Sequence, residues 1–169
     1  MIPRVHKTEK EDRIMIHKNI SIKAEGSLKD SHLTTYILDS YEELEPNLKR
    51  PLVLICPGGA YRFTADREAE MIALHLNSAG YHAAVLRYSC APAIFPTALL
   101  EVAESIKLLK EKAEEWHIDT EKVFVMGFSA GGHLAASYGV FWNRPFVAEK
   151  TGVKTEELKV SGLILCYPV

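Results

Sequence analysis

Ser129 lies in Gly127-Phe128-Ser129-Ala130-Gly131, a serine with a glycine two residues away on each side. The run before it, Val123-Phe124-Val125-Met126, is apolar with strand character, and residues 131–141 are helical in pattern and rich in small residues. A strand turning sharply into a helix holds the serine side chain clear of the sheet. Glycines are needed on both sides because a Cβ there would strike the neighbouring backbone. Ser129 is therefore a candidate nucleophile. The same glycines admit a rival reading as a phosphate cradle, since Gly127 and Gly132 have P-loop spacing, but His133 and Leu134 stand where that motif needs Lys and Ser or Thr. The dinucleotide fingerprint fails too, because Ser129 occupies its second glycine position.

A nucleophile attacking a carbonyl carbon needs donors for the oxygen that becomes negative, and backbone amides held in place beforehand supply them. Cys56-Pro57-Gly58-Gly59-Ala60-Tyr61 follows an apolar run and offers such amides. Two consecutive glycines let successive N–H groups turn into one space, which makes Gly59 and Ala60, with Ala130 after the serine, the candidate oxyanion hole. Tyr61, just beyond this loop, is a candidate for the substrate pocket. Phe95-Pro96, Phe141, Trp142 and Phe146 read more simply as core, since buried aromatics mostly pack. His133, four residues after Ser129, is expected to be a structural histidine on a buried small-residue helix. His75 and His82 flank Gly80 at a helix-to-strand corner, and His117 is placed near the end of a long helix.

The elements that must position these residues follow from the apolar periods. Residues 1–40 alternate, with Ile14, Ile16, Ile20 and Ile22, then Leu33, Thr35 and Ile37, which predicts two antiparallel strands at one sheet edge. Residues 41–50 are polar, with Pro46 and Pro51 as breakers, and Leu52-Val53-Leu54-Ile55-Cys56 reads as a strand covered on both faces. Ala69, Ile72, Ala73 and Leu76 form one helical stripe within residues 66–79, stopped by Gly80. Residues 83–88 read as strand, and Leu99, Val102, Ala103, Ile106, Leu109 and Ala113 keep helical spacing up to Trp116. After the 123–126 strand and the helix to residue 141, a mixed aromatic-bearing connection leads to the strand Leu163-Ile164-Leu165-Cys166. Strand–helix alternation of this kind implies an α/β domain spanning residues 1–169, with a mostly parallel sheet and helices on both faces.

Composition narrows the function classes. The 169 residues are 47% apolar and 25% charged, which suits one globular domain and excludes disorder and collagen-like repeats. Twenty Lys+Arg against 22 Asp+Glu give a net charge of -2, so no basic field holds nucleic acid or an anionic membrane. The charged N-terminal segment lacks a signal-like apolar stretch, and no run approaches the roughly 20 apolar residues of a membrane span. Cys56, Cys90 and Cys166 are odd in number and sit in or beside apolar segments, which points to buried thiols in a reduced, cytoplasmic setting.

The segments LICPGGAYRFTADRE, LRYSCAPAIFPTALLEVAESIKLLKE, VFVMGFSAGGHLAAS and GLILCYPV together resemble small α/β-hydrolase-fold esterases of the acetyl esterase and acetylxylan esterase type. The resemblance implies hydrolysis of short acyl esters, often acetyl groups on sugars, with a small-molecule ester as partner and no cofactor or metal. Pro57 and Ala60 replace the first and last residues of the commoner His-Gly-Gly-Gly loop, but amide donors do not depend on those side chains.

In this fold the triad order is Ser, then Asp or Glu, then His. After Ser129 there is no aspartate, only Glu149, Glu156 and Glu157, and the only histidine is His133. The expectation is a hydrolase whose last strands, acid and base are missing from residues 1–169, so that these residues alone are inactive and self-associate through the last strand. A non-catalytic binding or scaffold protein on the same fold is the alternative reading.

Overall fold

The computed structural model describes residues 15–40 and 48–169. Ile14 and the stretch 41–47, with Pro46, lie outside the described residues. The strands are β1 (Met15–Ile16), β2 (Asn19–Ser21), β3 (His32–Leu38), β4 (Arg50–Cys56), β5 (His82–Arg87), β6 (Ile118–Phe128) and β7 (Gly162–Cys166). The helices are α1 (Glu70–Ser78), α2 (Thr97–Glu111), α3 (Ala130–Phe141) and α4 (Pro145–Thr151), with 3₁₀ turns at Asp66–Glu68 and Thr155–Leu158.

One sheet runs β1-β3-β5-β4-β6-β7, with β2 also paired to β3. The pairs β4–β5, β4–β6 and β6–β7 are parallel, whereas β3 is antiparallel to β5 and to both leading strands. The first of the two predicted leading strands is broken into β1 and β2. Thr35 causes the break: its hydroxyl donates to the Ile16 carbonyl and accepts the Lys18 N–H, both at 3.0 Å, so a side chain occupies ladder positions a continuous strand would fill. Pro51 does not break the chain as its type suggests but is the second residue of β4. The register against β6 shifts between Arg50 and Leu52, an irregularity of the kind that tolerates a residue without an N–H.

Alternation along β4 divides the core. Leu52, Leu54 and Cys56 face α2 and α3 through Leu99, Val102, Ala103, Ile106, Leu134 and Tyr138. Val53 and Ile55 face the other way, toward Ala69 and Ala73 of the α1 region. Helices thus cover both faces, because a parallel pair can be joined only by a crossover that lies on one of them. The mixed connection after α3 supplies α4 and a 3₁₀ turn, and the Tyr138 hydroxyl anchors it by donating to the Leu158 carbonyl.

The chain leaves β4 toward β5, returns to β6 on the opposite side of β4, and continues outward to β7. Connections therefore diverge between β4 and β6, and a crevice opens at the carboxyl ends of those two strands. Both glycine-bearing loops singled out from sequence leave the sheet at this crevice.

Candidate active site

Ser129 stands between β6 and α3 with φ 49° and ψ −118°, a left-handed conformation that an L residue adopts only when its surroundings hold it there. Those surroundings are specific. The Ser129 N–H donates to the Cys166 carbonyl at the end of β7 (3.0 Å), and the Ser129 carbonyl accepts the His133 N–H in the first turn of α3 (3.0 Å). A Cβ at Gly127 would fall 2.0 Å from the Gly131 oxygen, and one at Gly131 would fall 2.0 Å from the Cys56 oxygen and 2.5 Å from the Pro57 oxygen. The flanking glycines are therefore required by contact: α3 starts directly against β6 and against the loop leaving β4.

That loop turns through consecutive positive φ values at Gly59 (135°), Ala60 (53°) and Tyr61 (56°). Its first three peptides are pinned. The Pro57 carbonyl accepts the Tyr88 hydroxyl (2.7 Å), while the Gly58 N–H, on the other side of the same peptide plane, donates to Glu68 Oε2 (2.8 Å). The Gly58 carbonyl accepts the Ala65 N–H (2.8 Å), and the Gly59 carbonyl accepts the Arg62 and Phe63 N–H groups (2.9 and 3.4 Å). In a trans peptide the carbonyl and the following N–H point in opposite directions, so these bonds also aim the N–H groups of Gly59 and Ala60. Among the described residues neither N–H has a hydrogen-bond acceptor, and the N–H of Ala130, the first residue of α3, has none within its helix.

Glu68 was not singled out from sequence. It is 6% exposed, and its second oxygen accepts the Tyr167 hydroxyl (3.0 Å) from the segment after β7 and contacts Arg67 Nε (3.3 Å). A Cβ on Gly58 would lie 2.7 Å from Glu68 Oε2 and 3.1 Å from Ser129 Cβ, so the carboxylate and the serine both crowd the side of Gly58 where a side chain would project. No local pattern pointed to it: Glu68 ends a 3₁₀ turn, Asp66–Glu68, separated from α1 by Ala69 at φ −119° and ψ −104°, so the helical spacing of the α1 stripe does not extend to it.

Beside the loop is a cavity of about 260 Å³ lined mainly by Tyr61, Phe95, Pro96, Leu99, His133 and Leu134. Phe95, expected in the core, is 64% exposed at the mouth of this cavity, because its loop between β5 and α2 lies outside the helical packing. Phe141, Trp142 and Phe146 are half-buried against the core. His133, expected on a buried face, is exposed: α3 turns this residue toward the cavity. Tyr61 Oη is 2.9 Å from His133 Nδ1. Burial pushes the Tyr61 phenol up to about 12, so its hydroxyl keeps the proton and is an uncharged partner for the imidazole. Among the described residues no side chain is hydrogen-bonded to the Ser129 hydroxyl. His82 is fully buried between the Leu38 N–H and the His117 carbonyl, away from the site. The three cysteines are free, with Cys56 and Cys90 buried and Cys166 only half-buried because it ends β7. No group of three His, Cys, Asp or Glu among the described residues is placed to hold a metal ion, and no helix is long and apolar enough to cross a membrane.

Solved structures resemble this arrangement. MGS-M1, an α/β hydrolase enzyme from a Medee basin deep-sea metagenome library, is 44% identical over 71% of this chain and 49% of its own, with a TM-score of 0.67. The carboxylesterase Cest-2923 from Lactobacillus plantarum WCFS1 is 28% identical over 92% of this chain and 57% of its own, with a TM-score of 0.78. An acetyl ester-xyloside bifunctional hydrolase from Caldicellulosiruptor lactoaceticus is 35% identical over 82% of this chain and 49% of its own, with a TM-score of 0.68. The chain spans about half the length of these proteins, and 20% and 30% of the length of the two curated relatives it matches over most of its own length. The fold is that of the α/β hydrolases, as the sequence segments imply. Residues 38–169 match the family model BD-FAE, and the chain belongs to the BD-FAE family.

Proposed function

We propose that the protein is a serine carboxylesterase in which Ser129 attacks the acyl carbon of a short acyl ester, with acetyl groups on sugars as the substrate class. The observation that carries this reading is the strained turn at Ser129, φ 49°, set beside a loop whose Gly59 and Ala60 N–H groups have no acceptor among the described residues. In the proposed reaction Ser129 Oγ forms a bond to the acyl carbon, and its proton passes to a base. The carbonyl oxygen becomes negative in front of the amides of Gly59, Ala60 and Ala130, and the alcohol leaves with a proton. Water then attacks the acyl-enzyme, releasing the acid and restoring the serine. The 260 Å³ cavity beside Tyr61 takes the small acyl or alcohol group. The sugar ester follows the similarity to the acetyl ester-xyloside hydrolase. Neither an aspartate nor a histidine other than His133 follows Ser129 in residues 1–169, so the acid and base are not assigned among them.

A fluorophosphonate probe is expected to label Ser129 in the full-length protein, and labelling that survives Ser129→Ala refutes the assignment. An acyl-chain series is expected to favour acetyl over long esters. Faster turnover of long chains excludes the small-acyl part of the reading.

A further inference from the structure

We infer that Glu68 is the positioning residue of the oxyanion loop, acting through the Gly58 N–H to aim the donors at Gly59 and Ala60. The inference rests on the serine esterase reading above and adds a residue to it. The first peptide of the loop, Pro57–Gly58, gives the starting direction for the next two, whose carbonyls are held in turn by the Ala65 N–H and by the Arg62 and Phe63 N–H groups. Its carbonyl side is held by the Tyr88 hydroxyl and its N–H side by Glu68 Oε2 at 2.8 Å. Removing either bond frees rotation about the backbone on that side of Gly58, a glycine with no side chain to limit it.

Chemistry favours a carboxylate for this task. A bond from an N–H to an ionised oxygen is roughly twice as strong as one to a neutral acceptor, and at 6% exposure little water competes for it. The other oxygen is engaged by the Tyr167 hydroxyl at 3.0 Å, which fixes the carboxylate plane. Tyr167 follows Cys166, whose carbonyl accepts the Ser129 N–H. One carboxylate thus ties the loop after β4 to the strand end that also holds the nucleophile turn, so the donors and the serine are referenced to the same backbone. Glu68 itself reaches neither the serine hydroxyl nor the space in front of the donors by any hydrogen bond among the described residues, which makes its role indirect.

The test compares Glu68→Gln, Glu68→Ala and Tyr167→Phe in the full-length protein by p-nitrophenyl acetate kinetics, by the rate of Ser129 labelling, and by the urea midpoint. Glu68→Gln keeps the volume and an acceptor but loses the charge, and is expected to lower kcat and the labelling rate about ten-fold with KM unchanged within about two-fold. Glu68→Ala is expected to lower both rates about 100-fold, the effect of displacing a reacting group by about 1 Å. Tyr167→Phe leaves the Gly58 bond and is expected to cost about three-fold or less. If Glu68→Ala does not fold, Glu68→Gln decides. Wild-type rates per folded molecule in the Gln variant, with only the urea midpoint lowered, overturn the inference and leave Glu68 a prop of the fold. A wild-type protein that the probe never labels refutes the serine reading instead. Hydrogen exchange of the Gly58 amide then decides on Glu68 separately: faster exchange in Glu68→Gln supports the pinning, and unchanged exchange overturns it.

Discussion

Gly131→Ala tests whether contact between α3 and the loop after β4 governs catalysis. The added methyl would sit 2.0 Å from the Cys56 oxygen, 2.5 Å from the Pro57 oxygen and 2.7 Å from the Cys56 carbonyl carbon, where ordinary contacts begin near 3.4 Å. These are backbone atoms, so no rotamer change relieves the clash, and the Cys56–Pro57 peptides must retreat by more than an ångström. Overpacking of this kind costs about 1–3 kcal/mol, offset in part by the up to ~1 kcal/mol that alanine gains over glycine in a helix. The protein should remain folded, since a domain has roughly 5–15 kcal/mol in hand. Activity should suffer far more: the displaced peptides lead directly to Gly59 and Ala60, and a misplacement of about 1 Å costs about 100-fold. The matched control is Gly139→Ala in the same helix, whose methyl would meet the Leu163 Cδ1 end at 2.4 Å, a side chain able to rotate away. The assay is kcat/KM on p-nitrophenyl acetate in the full-length protein together with urea unfolding. Equal activity in the two variants, within about three-fold, would refute the argument that this contact sets the donor positions.

Two further predictions concern stability and association. Burial, with lesser contributions from Arg50 and His117, lowers the His82 imidazole from its ordinary 6.5 to about 4. Between those values the unfolded chain binds the extra proton, so the contribution of His82 is full above about pH 6.5 and is lost as pH falls toward 4, a change of roughly 3 kcal/mol. Urea unfolding across this range should show a smaller pH slope in His82→Gln; an identical slope would exclude His82 as the source. Residues 1–169 by themselves are expected to hydrolyse p-nitrophenyl acetate little better than their Ser129→Ala variant and to self-associate. The reason for association is that β7 pairs only with β6 among the described residues and leaves Ile164 and Leu165 36% and 43% exposed. Sedimentation showing a monomer at all concentrations, or turnover that Ser129→Ala abolishes, would contradict this.

The amino-acid sequence by itself determined the strand–helix alternation, the glycine-flanked turn at Ser129 and the glycine-rich loop, because each rests on local chemistry. Apolar periods of 2 and 3.6 declare which face is buried. A glycine two residues from Ser129 on each side reports a backbone approach so close that no other residue fits, as the 2.0 Å contacts at Gly127 and Gly131 bear out. Local pattern did not reveal what distant segments do to one another. The break between β1 and β2 depends on Thr35, 17 residues beyond Lys18, placing its hydroxyl in the ladder. His133 has small apolar neighbours in sequence yet faces a cavity and Tyr61, because α3 packs its other side on the sheet. Phe95 looks like core by type and is exposed because it sits in the loop ahead of α2, outside the helical packing. Glu68 reads as one more surface charge until the fold brings Gly58, 10 residues earlier, and Tyr167, 99 residues later, onto its two oxygens. Which partner a polar side chain meets across such separations is decided by the packing of the sheet and its loops, and only the tertiary structure contains it.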